Sequence, residues 1–344
     1  MTGNIQFGQI VIGEATPVVV IAEAACEHRG DLDEAKRLVD LAKEAGADIV
    51  KFQLHLPEEE MIPNSIRFWA GSMDDVLSRV NLPVDAHAVL MRHCQEVGIQ
   101  YLCTPFCAKA ADILDEYGIE AFKTGSGEMT NIPMLRHIAR KKKPMIVSTG
   151  MATIEEIRET VAVLEQEPAP FMLMNCTSAY PPKPEEIKLG FIPAMKRMFN
   201  TCIGYSDHAT DTWAVLGAVA MGAKVIEKHF TADRSLKGPD HFISLEPKEF
   251  RAMVDVIRNL EAALGSDKHV HAGEADVRRW AHHSVVTLRA IRAGATIRPE
   301  MIGVKRPGWG VPAKHLEKFY GRIAARDLPA NSLLQWEDVT GVGT

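Results

Sequence analysis

The sequence predicts an α/β fold: a closed (β/α)8 barrel followed by a small β-rich module. Three observations carry this expectation. Eight short apolar runs recur between residues 18 and 230, amphipathic stretches alternate with them, and the pattern changes near residue 267.

The strand candidates are 18–24, 49–54, 100–105, 121–126, 145–150, 171–176, 202–207 and 225–230. Near-continuous hydrophobicity is what a parallel strand covered on both faces requires. In 32–45, Leu32, Ala35, Leu38, Val39, Ala42 and Ala45 recur at helical spacing. Similar patterns fill 85–97, 108–117, 131–141, 153–165, 185–198, 210–221 and 247–264. Four helices enter their next strand through glycine, at Gly46, Gly98, Gly118 and Gly222. Glycine fits the left-handed position just past a helix end. Eight such units in about 250 residues match the size of a TIM barrel. A doubly wound sheet is the rival, but no G-x-G-x-x-G follows the first strand. The expected boundaries are a barrel domain over 1–266, a polar linker over 267–283 and the small module over 284–344. Within that module, RAIRAGATIRPEMI and ARDLPANSLLQWEDV resemble each other and suggest two similar halves.

A net charge of −6 argues against a sequence-independent grip on nucleic acid or acidic lipid. The one dense basic run, Arg140 to Lys143, falls where a helix should end and reads as a solvated terminus. No apolar run approaches the roughly 18 residues of a membrane span, and Met1–Gly13 is too polar for a signal peptide. The six cysteines form no C-x-x-C pair. A cytoplasmic, reduced protein is expected.

Barrel enzymes draw their chemistry from the C-terminal ends of the strands. Here those ends carry Glu23, then Lys51 and Gln53, Thr104, then Lys123, Ser126 and Glu128, then Ser148 and Thr149, then Asn175, Thr177 and Ser178, then Ser206, Asp207 and His208, and finally Glu227 and His229. Any one hydroxyl could simply begin a loop. A lysine inside an apolar strand is harder to dismiss, and both Lys51 and Lys123 are so placed. Two ammonium groups beside hydroxyls and the glycine loops TGSGE and STGM suggest an anion such as phosphate plus carboxylate. His208 and His229 end adjacent strands, and imidazole suits divalent metals. Glu23 and Glu128 read either as proton-transfer groups or as ion-pair partners of Lys51 and Lys123.

These residues, in this order, resemble the sialic acid synthase family, which condenses phosphoenolpyruvate with an N-acylated mannosamine-type sugar. The matching segments are VIAEA, HRGDLDEAKRLVDLAKEAGADIVKFQ, TPF, FKTGSGEMTNIPML, PMIVSTGMATIEEI, NCTSAYP, IGYSDH, GAKVIEKHFT and GPDHFISLEP, from about Val18 to Gly265. The tail, with RAGATIRPEMIGVKRPGWGVP, resembles the antifreeze-like (SAF) domain that follows the barrel in that family. Three segments differ from its usual pattern: Glu27-His28-Arg29-Gly30 for Asn-His-x-Gly, Ser178 for an asparagine, and Arg278-Arg279-Trp280 for Arg-Arg-Ser.

The resemblance implies that His208 and His229 hold a divalent metal, manganese or magnesium. It implies phosphoenolpyruvate contacts at Lys51, Thr104, Lys123, Ser126, Ser148 and Ser206. Glu23 and Glu128 would stand near the reacting carbonyl, and Gln53, Tyr180 and Asp240 near the acceptor sugar. Arg306 would reach the active site of a partner subunit, which implies a domain-swapped homodimer. N-acetylneuraminate synthesis is the leading expectation, with diacetyllegionaminate and N-acetylneuraminate-9-phosphate synthesis as alternatives. A Schiff-base aldolase using Lys51 or Lys123 is the rival of another class.

Overall fold

The computed structural model describes residues 4–341 apart from 69, 70, 237 and 239. The chain divides into two compact units, Met1–Gly265 and Ser266–Thr344.

In the first unit eight strands close a parallel barrel: β1 (Val19–Ala25), β2 (Ile49–Leu54), β3 (Gln100–Pro105), β4 (Phe122–Thr124), β5 (Met145–Ser148), β6 (Phe171–Cys176), β7 (Ile203–Asp207) and β8 (Val225–His229). Spatial order equals chain order, and the ring closes where Glu23 of β1 pairs with His229 of β8. Each strand lies inside or within a residue of its predicted run. The fourth run is the most shortened: its last residue, Ser126, opens a 3-10 turn instead.

The principal helices are α1 (Leu32–Glu44), α2 (Ala86–Val97), α3 (Ala108–Glu116), α4 (Ile132–Ala139), α5 (Ile154–Leu164), α6 (Phe191–Phe199), α7 (Trp213–Ala220) and α8 (Pro247–Ala263). Asp31 caps α1 by accepting from the backbone N–H groups of Asp33 and Glu34, and Thr153 forms a reciprocal capping box with Glu156 on α5. All four repeat glycines have positive φ, from 78° to 95°. The single helix expected over 185–198 is instead a short turn, Pro184–Ile187, followed by α6. Lys188 in a left-handed conformation breaks the two apart.

Two apolar layers follow from the period-two alternation of the strands. Val20, Ala22, Val50, Phe52, Cys103, Phe122, Val147, Leu173, Tyr205 and Ile226 pack outward against the helices. Val19, Ile21, Ile49, Leu102, Ala121, Ile146, Met172, Met174 and Val225 fill the barrel. The base of that inner layer includes Ile5, Phe7 and Ile12 of an antiparallel hairpin that the sequence reading had not assigned. Hydrophobic filling therefore occupies the N-terminal part of the lumen and stops where polar side chains begin.

In the second unit, Ser284–Thr287 pairs with Ile302–Lys305 and Ile323–Ala324 with Val339–Thr340, both antiparallel. Its core joins Val285, Ile291, Ile297, Ile302, Phe319, Leu328, Leu334 and Val339. The two similar segments adopt similar shapes. Each ends in a 3-10 turn leading into a strand, and Ile291 and Leu328, at equivalent positions, bridge each other. Residues 267–283, expected to be a linker, contain the helix Ala275–Ala281.

Candidate active site

The inner strand phase sends polar groups into the barrel mouth. Glu23 lies two residues beyond Ile21, Lys51 and Gln53 follow Ile49, Thr104 follows Leu102, and Lys123 follows Ala121. Ser148 follows Ile146, and Glu227 and His229 follow Val225. Thr149, Asn175 and Asp207, also polar and at strand ends, have the opposite phase and face away from the lumen. Asp207 pairs outward with Lys228 at 2.6 Å, both side chains fully buried.

Four charges meet at the centre. Lys51 Nζ lies 2.8 Å from Glu23 Oε2 and 3.6 Å from Glu227 Oε1, and donates to Thr104 Oγ1 at 3.1 Å. Lys123 Nζ lies 3.7 Å from the same Glu227 oxygen, which accepts from Ser206 Oγ at 3.0 Å. Burial disfavours every one of these charges, and the neighbours then decide each outcome. Lys51 is nonetheless raised, because Glu227 and Glu23 outweigh its burial. Burial lowers Lys123, with Lys51 adding to the effect against the pull of Glu227. Burial raises Glu23 against the opposing pull of Lys51, while the two lysines hold Glu227 below the usual carboxylate range. Glu227 therefore ties the two lysines together. The sequence reading noted it without a role, although its place two residues before His229 was the signal.

Ser126 and Ser148 face each other across 3.0 Å. Gly150 keeps this corner open: a Cβ there would stand 2.5 Å from both Ser126 Oγ and Ser178 Oγ. Of the six expected phosphate and carboxylate contacts, Lys51, Thr104, Lys123 and Ser206 are joined through Glu227 and Lys51, and Ser126 and Ser148 form a pair of their own.

Above this patch lie the histidines. The His208 and His229 rings are 5.4 Å apart, and Tyr180 stacks on His208 at 4.1 Å. His208 Nδ1 lies 2.7 Å from the Thr177 carbonyl, so it carries the proton there and the lone pair of the neutral ring is left on Nε2. Burial holds His229 well below its ordinary range, in the neutral form that binds metals, and its Nδ1 has no hydrogen-bond partner. Burial alone would raise the Cys176 thiol, but His208 and Lys123 bring it down to about 7.

On the remaining side, Gln53 donates to Glu23 Oε1 at 2.8 Å, and Gln53 Oε1 lies 3.1 Å from His55 Nε2. His55 stacks on Phe106 and meets Glu60 at 3.0 Å. Gln53, His55, Glu60, Phe106, Glu128 and Asp240 line a cavity of about 370 Å3. Glu128 accepts from Asn131 at 2.6 Å, so its nearest partner is not Lys123. Burial raises its carboxyl. Arg306 belongs to the second unit, where its guanidinium lies 5.6 Å over the Trp280 ring and Nε donates to the Ala281 carbonyl.

Residues 38–269 match the model of the NeuB family, and residues 282–340 match the SAF domain. The chain belongs to the NeuB family. Its relatives include the N,N'-diacetyllegionaminic acid synthase of Campylobacter jejuni, 36% identical over 92% of this chain and 98% of that one. The N-acetylneuraminate-9-phosphate synthase of Homo sapiens is 35% identical over 86% of this chain and 84% of its own length. Among solved structures, the N-acetylneuraminic acid synthetase of Leptospira borgpetersenii superposes with a TM-score of 0.74 at 34% identity. That match covers 80% of this chain and 95% of the Leptospira chain. This NeuB-family chain is accordingly an enzyme, a condensing transferase of the sialic acid synthase type, built as a barrel with a C-terminal SAF domain.

Proposed function

We propose that the chain condenses phosphoenolpyruvate with an open-chain N-acylmannosamine-type aldose, giving a nine-carbon 2-keto-3-deoxy acid and phosphate. The observation that carries this reading is the patch of Lys51, Lys123, Thr104, Ser206 and the Ser126–Ser148 pair directly beside two buried histidines. The lysines and hydroxyls hold phosphate and carboxylate, which converts a bimolecular encounter into an oriented one.

The enol carbon of phosphoenolpyruvate bonds to the aldehyde carbon, and the aldehyde oxygen takes a proton. Water adds at the second carbon, the bond from that carbon to the phosphate oxygen breaks, and the keto acid forms as a proton leaves. Glu23 and Glu128 are the proton carriers in this reading: burial raises both carboxyls above the ordinary carboxylate range, which favours holding a proton that can be passed on. Gln53, Tyr180 and Asp240 surround the acceptor.

The donors at His208 and His229 fit a divalent ion such as manganese or magnesium, since one buried imidazole nitrogen has no partner and the other histidine has its tautomer fixed. When bound, such an ion supplies Lewis-acid polarisation of the aldehyde.

N-acetylmannosamine is the acceptor we favour. Within this chain the described lining of the cavity carries Glu60, Glu128 and Asp240 but no lysine or arginine, so a 6-phosphorylated sugar would meet three carboxylates and no cation other than the partner's Arg306. A diacetamido-trideoxy hexose is the closest rival. In the dimeric enzyme we assign Arg306 to the sugar side of the partner's site. The decisive assay is phosphate release from phosphoenolpyruvate with N-acetylmannosamine, its 6-phosphate and the diacetamido sugar, each with and without metal. Absence of release with all three would sink the reading. The Schiff-base alternative draws on the lowered Lys123. Borohydride trapping of a lysine adduct with pyruvate would favour it instead.

A further inference from the structure

Glu27 stands in the tight turn after β1, its backbone N–H donating to the Ala24 carbonyl, and it is 1% exposed. Its Oε2 lies 2.6 Å from His241 Nδ1. His229 and Asp240 lie beside it, and one donor atom from each of the three falls within 4.8 Å of the others. Ligands that share an ion through bonds of about 2.0–2.2 Å sit roughly 3–4 Å apart.

A second observation points into the same space. His229 Nδ1 is buried without a hydrogen-bond partner and lies 4.0 Å from Asp240 Oδ2. That separation is too long for a hydrogen bond and suits two donors across a cation. Buried polar atoms without partners are rare and call for an explanation such as an ion. His241, held against Thr231 Oγ1 at 2.8 Å, would orient the Glu27 carboxylate in the way ligating carboxylates are usually supported.

We propose that Glu27 and Asp240 join His229 in ligating the divalent ion, making the centre a mixed carboxylate–imidazole site rather than a pair of histidines. The inference rests on the metal reading given above for His208 and His229. Hard oxygen donors make manganese or magnesium the fitting ion class. The two carboxylates also offset the charge that two histidines alone would leave on the ion.

The test uses the metal-stripped full-length protein and manganese(II) alone. Affinity is read by calorimetry, and the number of bound waters by water-proton relaxation. Glu27→Gln is expected to weaken manganese binding on the order of tenfold or more and to add a water to the ion. Glu27→Asp, which keeps the charge, is expected to fall between wild type and Glu27→Gln, and it serves if the glutamine variant does not fold. His229→Ala separates the two claims. If it loses manganese while a folded Glu27→Gln matches wild type within about twofold with unchanged hydration, Glu27 is not a ligand. Unchanged binding by His229→Ala would overturn the metal reading itself.

Discussion

Lys51 Nζ and Glu23 Oε2 lie 2.8 Å apart with both side chains almost wholly buried, and Glu227 and Lys123 complete a balanced set of two cations and two anions. Breaking a buried pair from one side leaves a charge without compensation. Lys51→Met is therefore expected to lower stability by about 3–5 kcal/mol in urea unfolding and to abolish turnover. Adding Glu23→Leu should recover most of the stability and none of the activity. If the single variant keeps wild-type stability, the pair is not formed as described.

Gly150 works through space rather than backbone freedom. A methyl group there meets Ser126 Oγ and Ser178 Oγ at 2.5 Å. Crowding of this kind costs about 1–3 kcal/mol unless the serines move, and moving them opens the proposed phosphate corner. Gly150→Ala is expected to raise KM for phosphoenolpyruvate about tenfold, with a smaller change for the acceptor. Steady-state kinetics with each substrate varied in turn will check this.

Lys228 belongs to the frame rather than the site. It pairs with Asp207, donates to the carbonyls of Ala209 and Asp211, and is completely buried on the helix side of β8. Asp207 also accepts from Tyr205 Oη at 2.8 Å. Lys228→Met should cost on the order of 3–5 kcal/mol of stability. Turnover by the folded fraction at low temperature should be largely retained. Loss of turnover without loss of stability would move Lys228 into the active site.

His87 gives a pH signature away from the site. It is fully buried with Nδ1 2.7 Å from Tyr101 Oη, and burial lowers the imidazole to about 3. An unfolded histidine titrates near 6.5. The unfolded chain therefore binds more protons between these values, so this stability is present above about 6.5 and drains away as pH falls toward 3. The slope from this group is about 1.4 kcal/mol per pH unit within that window. In His87→Leu the stability–pH curve, followed by denaturant melts from pH 7 to 4, should be flatter by that amount. An unchanged slope would place the acid sensitivity elsewhere.

How much of this was legible in sequence depended on whether a feature repeats at short range. The eight strands and the four positive-φ glycines follow from local periodicity, because a buried parallel strand must be apolar and a helix-to-strand turn must reverse tightly. Thr149, Asn175 and Asp207 lie at strand ends as expected but turn away from the lumen, because neighbouring positions of a strand alternate in facing. Only the packed layers reveal which parity faces the lumen. Glu27 carries no sequence signal because its partner His241 lies far along the chain, and His55 and Glu60 carry none because their contact, though close in sequence, is made in a loop with no periodic pattern.

The sequence by itself thus determined the barrel, its order and the chemical types at its mouth. Tertiary structure alone decided which charges neutralise one another, since Coulomb and desolvation terms depend on distances across the ring, and those are set by closing β8 against β1.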